Sequence, residues 1–360
     1  MIASPGMKDK HVMIAPLDWG LGHATRCIPI VKILLKKGCV VHLGSNGNAL
    51  LVLRNEFPDL PYVELPAYDA YYSKTWPFML NIFRQLPKFL QAINREKEVL
   101  KEYESKHPLD LIISDNRYGC RLKHVKSVFL SHHLNISMPD YLRWLSPLLN
   151  FVNRRLLKGF DEHWIPDDPK ESLSGKLSNP APNNSRRIGL LSRFTTSYDS
   201  VEKYKLAIII SGPEPQRSLF EKLILKQISA IDFKAILIRG LPAHQEPLSV
   251  LSNIEIVNYM GANDLQRVIM SSELILCRSG YSSVMDLAIL GKKAIFVPTP
   301  GQTEQEYLAY RLMEMKIAYF QSQPEFELKK AMTRAVDYSG FTGYPNDQQD
   351  LIKALEEALL

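Results

Sequence analysis

Cysteine is scarce in this 360-residue chain. Cys27, Cys39, Cys120 and Cys277 form no CxxC pair, which argues against a disulfide framework, and Cys39 and Cys277 sit in apolar runs. Reduced structural thiols in a cytoplasmic protein are the expectation. Long apolar runs are missing too. None approaches the roughly 20 residues of a membrane span, and the first residues lack the apolar segment of a secretory signal. Nor is charge of one sign in large excess: 44 basic against 38 acidic residues leave a net charge of +6. That suits an anionic substrate or an anionic membrane surface and falls short of a case for nucleic acid. Sequence repeats and low-complexity tracts are absent as well.

What is present is the composition of a soluble globular protein, 46% hydrophobic and 23% charged. The length exceeds what one core supports, so two domains are expected. The chain alternates strand, glycine turn and helix. His11–Ala15 reads as a strand, Asp18–His23 as a turn, Cys27–Lys36 as a helix and Cys39–Leu43 as the next strand, with later strands at 109–114, 127–130 and 163–165. Proline, asparagine and serine crowd residues 167–187, which read as a linker. The succession then restarts, with strands at 205–210, 234–238, 254–257, 274–276 and 294–297. Strands apolar on both faces argue for parallel sheets covered by helices. The fold class is therefore α/β: two doubly wound, Rossmann-like domains, 1–188 and 189–342, facing each other across a cleft at the carboxyl ends of their strands. Residues 343–360 read as a terminal helix packing back on the first domain, with Leu351, Leu355 and Leu359 on one stripe.

Residues Cys277 to Asp286 carry the most chemical information. They follow the buried-strand run Glu273–Cys277 and open a segment of helical spacing, so Arg278-Ser279-Gly280 is a strand-to-helix turn. Gly280 permits a tight or left-handed backbone there, and Ser282 and Ser283 add hydroxyls where the first helix amides lack partners. Such a helix start attracts anions, phosphate above all. Asp286 lies about 1.6 turns further on, where a carboxylate could reach past a diphosphate to a ribose diol. A nucleotide-diphosphate site follows. Two more turns could contribute: Ser211-Gly212 to Arg217, although Pro213 and Pro215 each remove an amide donor, and Pro298 to Gln305. The plain alternative for each is an ordinary strand–helix connection.

In the first half, Gly20 and Gly22 let backbone approach a ligand, and His23 stands near a helix start. An imidazole titrates near neutrality, at about 6.5, and suits general base work; closing the turn or holding a phosphate oxygen is its bland role. Asp115, at the end of its strand, can hold the tautomer of His23 or merely cap a helix. Asn116 and His132, with the two glycines, complete the acceptor-side candidates. Ser131-His132-His133 is no metal site, because successive side chains diverge and no third ligand is spaced nearby.

Cys277-Arg278-Ser279-Gly280 to Asp286, Gly291, Val297-Pro298 and Gln305 with Ala309 resemble the donor half of GT-B glycosyltransferases, in the group of the lipid-linked N-acetylglucosaminyltransferase of peptidoglycan synthesis. The first half matches through Gly20-Leu21-Gly22-His23 and Asp110 to Asp115. The resemblance implies an enzyme that moves a sugar, a UDP-linked hexose or N-acetylhexosamine, to an acceptor hydroxyl of a glycan or glycolipid in cell-envelope synthesis. It implies inversion at the anomeric carbon, diphosphate held by the 278–283 turn, ribose held by Asp286, sugar held by Gln305, and His23 with Asp115 at the reacting centre. No DxD stands at a suitable strand end, so neither a metal nor another cofactor is expected. The sequence departs from the family pattern where Asp286 replaces a glutamate, Leu308 an asparagine and Tyr281 a small residue, and where the 211 turn lacks Gly-Gly-Ser. Two other readings remain open: a nucleotide-sugar 2-epimerase on the same architecture, and a non-catalytic nucleotide-sugar-binding partner in a glycan assembly complex.

Two stretches could lie on a membrane interface. Trp76 to Leu90 and Tyr141 to Phe160 both mix large apolar residues with basic ones. Peripheral association with the inner face of the cell membrane is one expectation, helices packed on a sheet with a solvated basic face the other.

Overall fold

The computed structural model describes residues 7–68, 78–136, 138, 140–170, 172–195, 202–229, 231–241, 253–344 and 347–360, with the side chains of 78–86, 140 and 141 left aside. The chain divides into two compact units, Met1–Leu191 with Asp347–Leu360, and Ser192–Asn346.

Unit 1 holds strands β1 (His11–Pro16), β2 (Val40–Ser45), β3 (Tyr62–Glu64), β4 (Leu111–Asp115), β5 (Lys126–Leu130), β6 (Glu162–Ile165) and β7 (Ser185–Arg187). Its helices are α1 (Leu21–Lys36), α2 (Gly47–Glu56), α3 (Phe78–Lys106) and α4 (Ser146–Leu157). Among the described residues the strands form one sheet in the order β3-β2-β1-β4-β5-β6-β7, all pairings parallel. Val12, Met13, Ile14, Leu111, Ile112 and Ile113 are fully buried, as continuous apolar runs covered on both faces must be. The order reverses between β1 and β4. Such a switch point opens a crevice at the carboxyl ends of the two strands, because their following helices leave in opposite directions.

The stretch expected as a linker runs inside unit 1. Asp167, fully buried, accepts from the amides of Asp168 and Leu173, from the hydroxyls of Ser172 and Ser174, and from Arg187 of β7. A buried carboxylate so fully satisfied organises loop backbone, which is why the prolines and asparagines here mark an ordered connection.

Unit 2 holds β8 (Tyr204–Ile209), β9 (Ala235–Ile238), β10 (Ile254–Val257), β11 (Ser272–Cys277), β12 (Lys293–Phe296) and β13 (Tyr319–Phe320). They interleave with α5 (Gln216–Ile228), α6 (Ala262–Met270), α7 (Tyr281–Ile289), α8 (Thr303–Glu314) and α9 (Leu328–Ala335). The described strands again form one parallel sheet, β10-β9-β8-β11-β12-β13, with its switch point between β8 and β11. Leu206, Ile208, Leu237, Leu276 and Ile295 pack with Phe220 and Ile224 of α5 in its core. The last helix, α10 (Gln349–Leu359), belongs to unit 1: Leu351, Leu355 and Leu359 are buried, and Glu356 pairs with Lys37, the residue that follows α1, at 2.8 Å.

Candidate functional site

Each switch point gathers residues that the sequence marks for chemistry. In unit 1, β1 ends beside β4, with Pro16 in register with Asp115. The chain then turns through Gly20, whose φ of 83° lies in the left-handed region and whose missing Cβ would meet nothing within 4 Å. Gly22 already lies in the first turn of α1. His23 and Arg26, three apart on that helix, share one face and both reach Asp115. His23 Nδ1 stands 2.9 Å from Asp115 Oδ1. Arg26 Nε donates to Asp115 Oδ2 at 2.6 Å, and its Nη2 donates to Oδ1.

Asp115 is fully buried. Against the desolvation that burial imposes, the Arg26 charge and His23 hold its carboxyl well below the usual carboxylate range. It is a permanent acceptor. His132, also buried, places Nδ1 3.1 Å from Arg26 Nη1, whereas His133 is half-buried, its amide donating to Ser131 Oγ. Asn116 takes a positive φ of 59° that turns the chain away from Asp115. The next residue, Arg117, is buried in an ion pair with Glu96 at 2.6 Å, where Tyr68 and the Gly119 amide also donate to that glutamate. Trp19 and Leu21 remain 46% and 41% exposed on the turn that carries His23. Trp19 meets Phe89 and Tyr68 edge-on.

In unit 2 the turns after β8 and β11 meet at the other switch point. Gly280 precedes α7 with φ −66° and ψ 141°, an extended conformation open to any residue, so the left-handed turn expected there does not occur. What the glycine provides is space, since a Cβ on it would meet nothing within 4 Å. Among the described residues no side chain caps α7, and no acidic residue stands in its first turn, although α8 begins with Glu304 and Glu306. The start of α7 thus keeps its electropositive character. Ser282 and Ser283 are half-buried in that first turn.

Asp286 follows on the same helix. Ser192 Oγ donates to it and Arg193 lies near, yet burial outweighs both and pushes its carboxyl up to about 6. Ser211 and Gly212 are exposed, the latter at φ 111°. A Cβ at Gly212 would stand 3.5 Å from Thr299 Oγ1, a buried hydroxyl with no hydrogen-bond partner among the described residues. Gln305 Oε1 accepts from the Thr299 amide at 2.9 Å.

Three of the expected donor residues have their side chains engaged within the protein. Arg278 is 1% exposed: its guanidinium donates to the carbonyls of Val297, Pro298 and Gln216 and to Gln323, and lies over the Phe220 ring at 4.2 Å. It is a strut binding the turns of the switch point together. Ser279 is buried, with its hydroxyl donating to the Gln305 carbonyl. Arg217 is engaged by Glu214 and Glu221. Sequence reading also missed Arg26, Ser192 and Arg193. Arg26 had a signal, a lone cation beside the apolar pair Cys27-Ile28 and three residues from His23; Ser192 and Arg193 had none.

Among the described residues, no group of three or more His, Cys, Asp or Glu is placed to hold a metal ion. No described helix is long and apolar enough to cross a membrane.

Residues 216–340, from α5 past α9, match the glycosyltransferase family 28 C-terminal domain, so the model spans the start of α7, Asp286 and the 298–305 turn. The chain is a glycosyltransferase. It resembles the UDP-N-acetylglucosamine--N-acetylmuramyl-(pentapeptide) pyrophosphoryl-undecaprenol N-acetylglucosamine transferase of Sulfurihydrogenibium, at 27% identity over 158 residues. That alignment spans 42% of either chain, less than half of the relative's length. The Haemophilus ducreyi protein of the same name is 27% identical over 318 residues, 85% of this chain and 83% of the relative. Among solved structures, MurG of Acinetobacter baumannii superimposes with a TM-score of 0.58 at 15% identity, covering 97% of this chain and 99% of that one. The fold is GT-B, and the two parallel-sheet units described above are its halves.

Proposed function

We propose that this glycosyltransferase moves a hexose or N-acetylhexosamine from a UDP-sugar to the hydroxyl of a lipid-linked glycan acceptor, with inversion at the anomeric carbon. The observation that carries the reading is the α7 start: an uncapped helix terminus at a switch point, inside the matched donor domain, with Asp286 on the same helix. Backbone amides at Gly280, Ser282 and Ser283 would hold the diphosphate, Asp286 the ribose hydroxyls and Gln305 the sugar. His23 Nε2 would accept the proton of the attacking hydroxyl while Asp115 holds the ring. The acceptor oxygen then bonds to the anomeric carbon as the bond from that carbon to the diphosphate breaks, and the helix start stabilises the departing charge. The Sulfurihydrogenibium and Haemophilus relatives, transferases acting from UDP-N-acetylglucosamine onto an undecaprenol-linked substrate, favour transfer over 2-epimerisation.

The test is thermal unfolding with UDP. A ligand that binds only the native state at a hundredfold over its Kd stabilises it by about 2.7 kcal/mol. A rise in Tm with UDP, absent with adenosine diphosphate, is expected; no rise with UDP or any UDP-sugar removes the donor assignment.

A lipid-linked acceptor is supported by the exposed surface of unit 1. Trp144, Leu148 and Phe151 are 74%, 56% and 64% exposed along α4 and the turn before it, beside exposed Arg143, Arg154, Arg155 and Lys158. Large apolar groups rimmed by cations suit an anionic bilayer interface. Of the other membrane-facing stretch, Trp76 and Pro77 lie outside the described residues, as do the side chains that follow to 86. Leu148→Ser with Phe151→Ser is expected to cut the fraction bound to phosphatidylglycerol vesicles about tenfold or more, leaving UDP binding intact. Equal flotation of variant and parent would place the acceptor's lipid elsewhere.

A further inference from the structure

The cluster at the end of β4 contains more order than a histidine–carboxylate pair needs. Arg26 is 2% exposed and sits between two histidines, with Nη2 2.9 Å from His23 Nδ1 and Nη1 3.1 Å from His132 Nδ1. A guanidinium carries only donors and stays protonated in proteins. The His132 nitrogen that faces it must therefore be bare, which puts the ring's proton on Nε2 and keeps the ring neutral.

His23 resolves the other way. Its Nδ1 lies 2.9 Å from Asp115 Oδ1 as well as from Arg26. A bare Nδ1 would point its lone pair at a carboxylate oxygen. A protonated Nδ1 gives that oxygen a second donor beside Arg26 Nη2, which its lone pairs accommodate. Arg26 Nη2 directs a hydrogen to that same oxygen, so Asp115 decides this ring: the proton belongs on Nδ1, and Nε2 is left as the acceptor.

We propose that Arg26 is a positioning residue that sets His132 in the tautomer protonated on Nε2 and holds Asp115 where that carboxylate keeps His23 protonated on Nδ1. The fork geometry is what allows it. Nε and Nη2 grip both oxygens of Asp115 in a bidentate pair while Nη1 remains for His132, three directions that a single ammonium cannot reproduce. Arg26 does not touch substrate in this scheme. It acts through the rings, and the proposal rests on the reading of His23 as the base.

The test uses the full-length protein labelled with 15N-histidine, whose one-bond and two-bond proton–nitrogen correlations distinguish the two neutral tautomers. The wild type is expected to show His23 protonated on Nδ1 and His132 on Nε2, with assignments from His23→Gln and His132→Gln. Arg26→Lys keeps the charge beside Asp115 and loses the fork. It is expected to mix the His132 tautomers and to lower kcat by about ten- to a hundredfold, with the Kd for UDP unchanged. Should Arg26→Lys unfold, Arg26→Gln read by the same spectra serves in its place. His132 protonated on Nδ1 in the wild type, or spectra unchanged in a folded Arg26 variant, overturns the proposal. Tautomers as expected together with full turnover in His23→Gln would instead sink the base reading and leave the role of Arg26 standing.

Discussion

His23→Ala is expected to lower kcat for sugar transfer by about a hundred- to ten-thousandfold while the Kd for UDP stays within twofold of the parent. The proposed donor site lies in unit 2, at the α7 start and Asp286, and His23 is in the first turn of α1 in unit 1. Its side chain is only 15% exposed and bonds Asp115, which keeps its ion pair with Arg26 in the alanine variant, so the variant is expected to keep its fold. The loss belongs to the step in which the acceptor hydroxyl gives up its proton. Without a base of suitable pKa that proton has no acceptor until the new bond is nearly formed, and the barrier rises accordingly. Single-turnover rates with bound donor, measured beside UDP titrations, separate the two quantities. Equal rates for variant and parent would move the base to another residue; a weakened donor Kd would mean that His23 holds diphosphate.

Most of the scaffold was legible because buried parallel strands write themselves as short apolar runs. His11–Ala15 and 254–257 fall on β1 and β10, and the remaining expected strands shift by one or two residues at their ends. The two to three residues of β3, β7 and β13 are too short for any periodicity to register. Positions of the candidate turns were legible for the same reason, since a glycine after an apolar run marks the carboxyl end of a strand. Side-chain direction was not. Arg278 and Arg217 stand where an anion-binding cation would be sought, yet one is drawn under the turn by four oxygen acceptors and the other is neutralised by two glutamates. Nothing in local spacing distinguishes a cation that meets ligand from one that braces the loop. The difference is made by Gln323 and Glu221, partners the local turn pattern leaves out. Asp115 illustrates the converse: its place at a strand end was readable, but the buried guanidinium that keeps it ionised comes from another element altogether.

Asp286→Asn is expected to stabilise the ligand-free protein and to abolish its response to UDP. Burial raises the carboxyl of Asp286 from its ordinary value of 3.8 to about 6, despite Arg193 and the Ser192 hydroxyl, so the fold favours the protonated form more than the unfolded chain does. The sign follows directly. Stability contributed by this group is complete below about pH 3.8 and is lost as the pH rises through 6, because above that point the fold holds an ionised carboxylate at a desolvation cost. A shift of about two units at 1.36 kcal/mol each makes that cost about 2–3 kcal/mol at pH 7.5. Asparagine has nearly the same shape, keeps an oxygen for Ser192 to donate to, and carries no charge to desolvate. Its Tm is therefore expected to exceed the parent's at pH 7.5 and to converge with it near pH 4. The same substitution removes one of the two carboxylate oxygens that would accept from a ribose diol, so the UDP-induced rise in Tm disappears. A group that costs stability and is needed for ligand is what a binding site keeps and a scaffold does not. A variant that gains nothing at pH 7.5 would show that solvent already relieves this carboxylate, and one that still responds to UDP would take Asp286 out of the donor site.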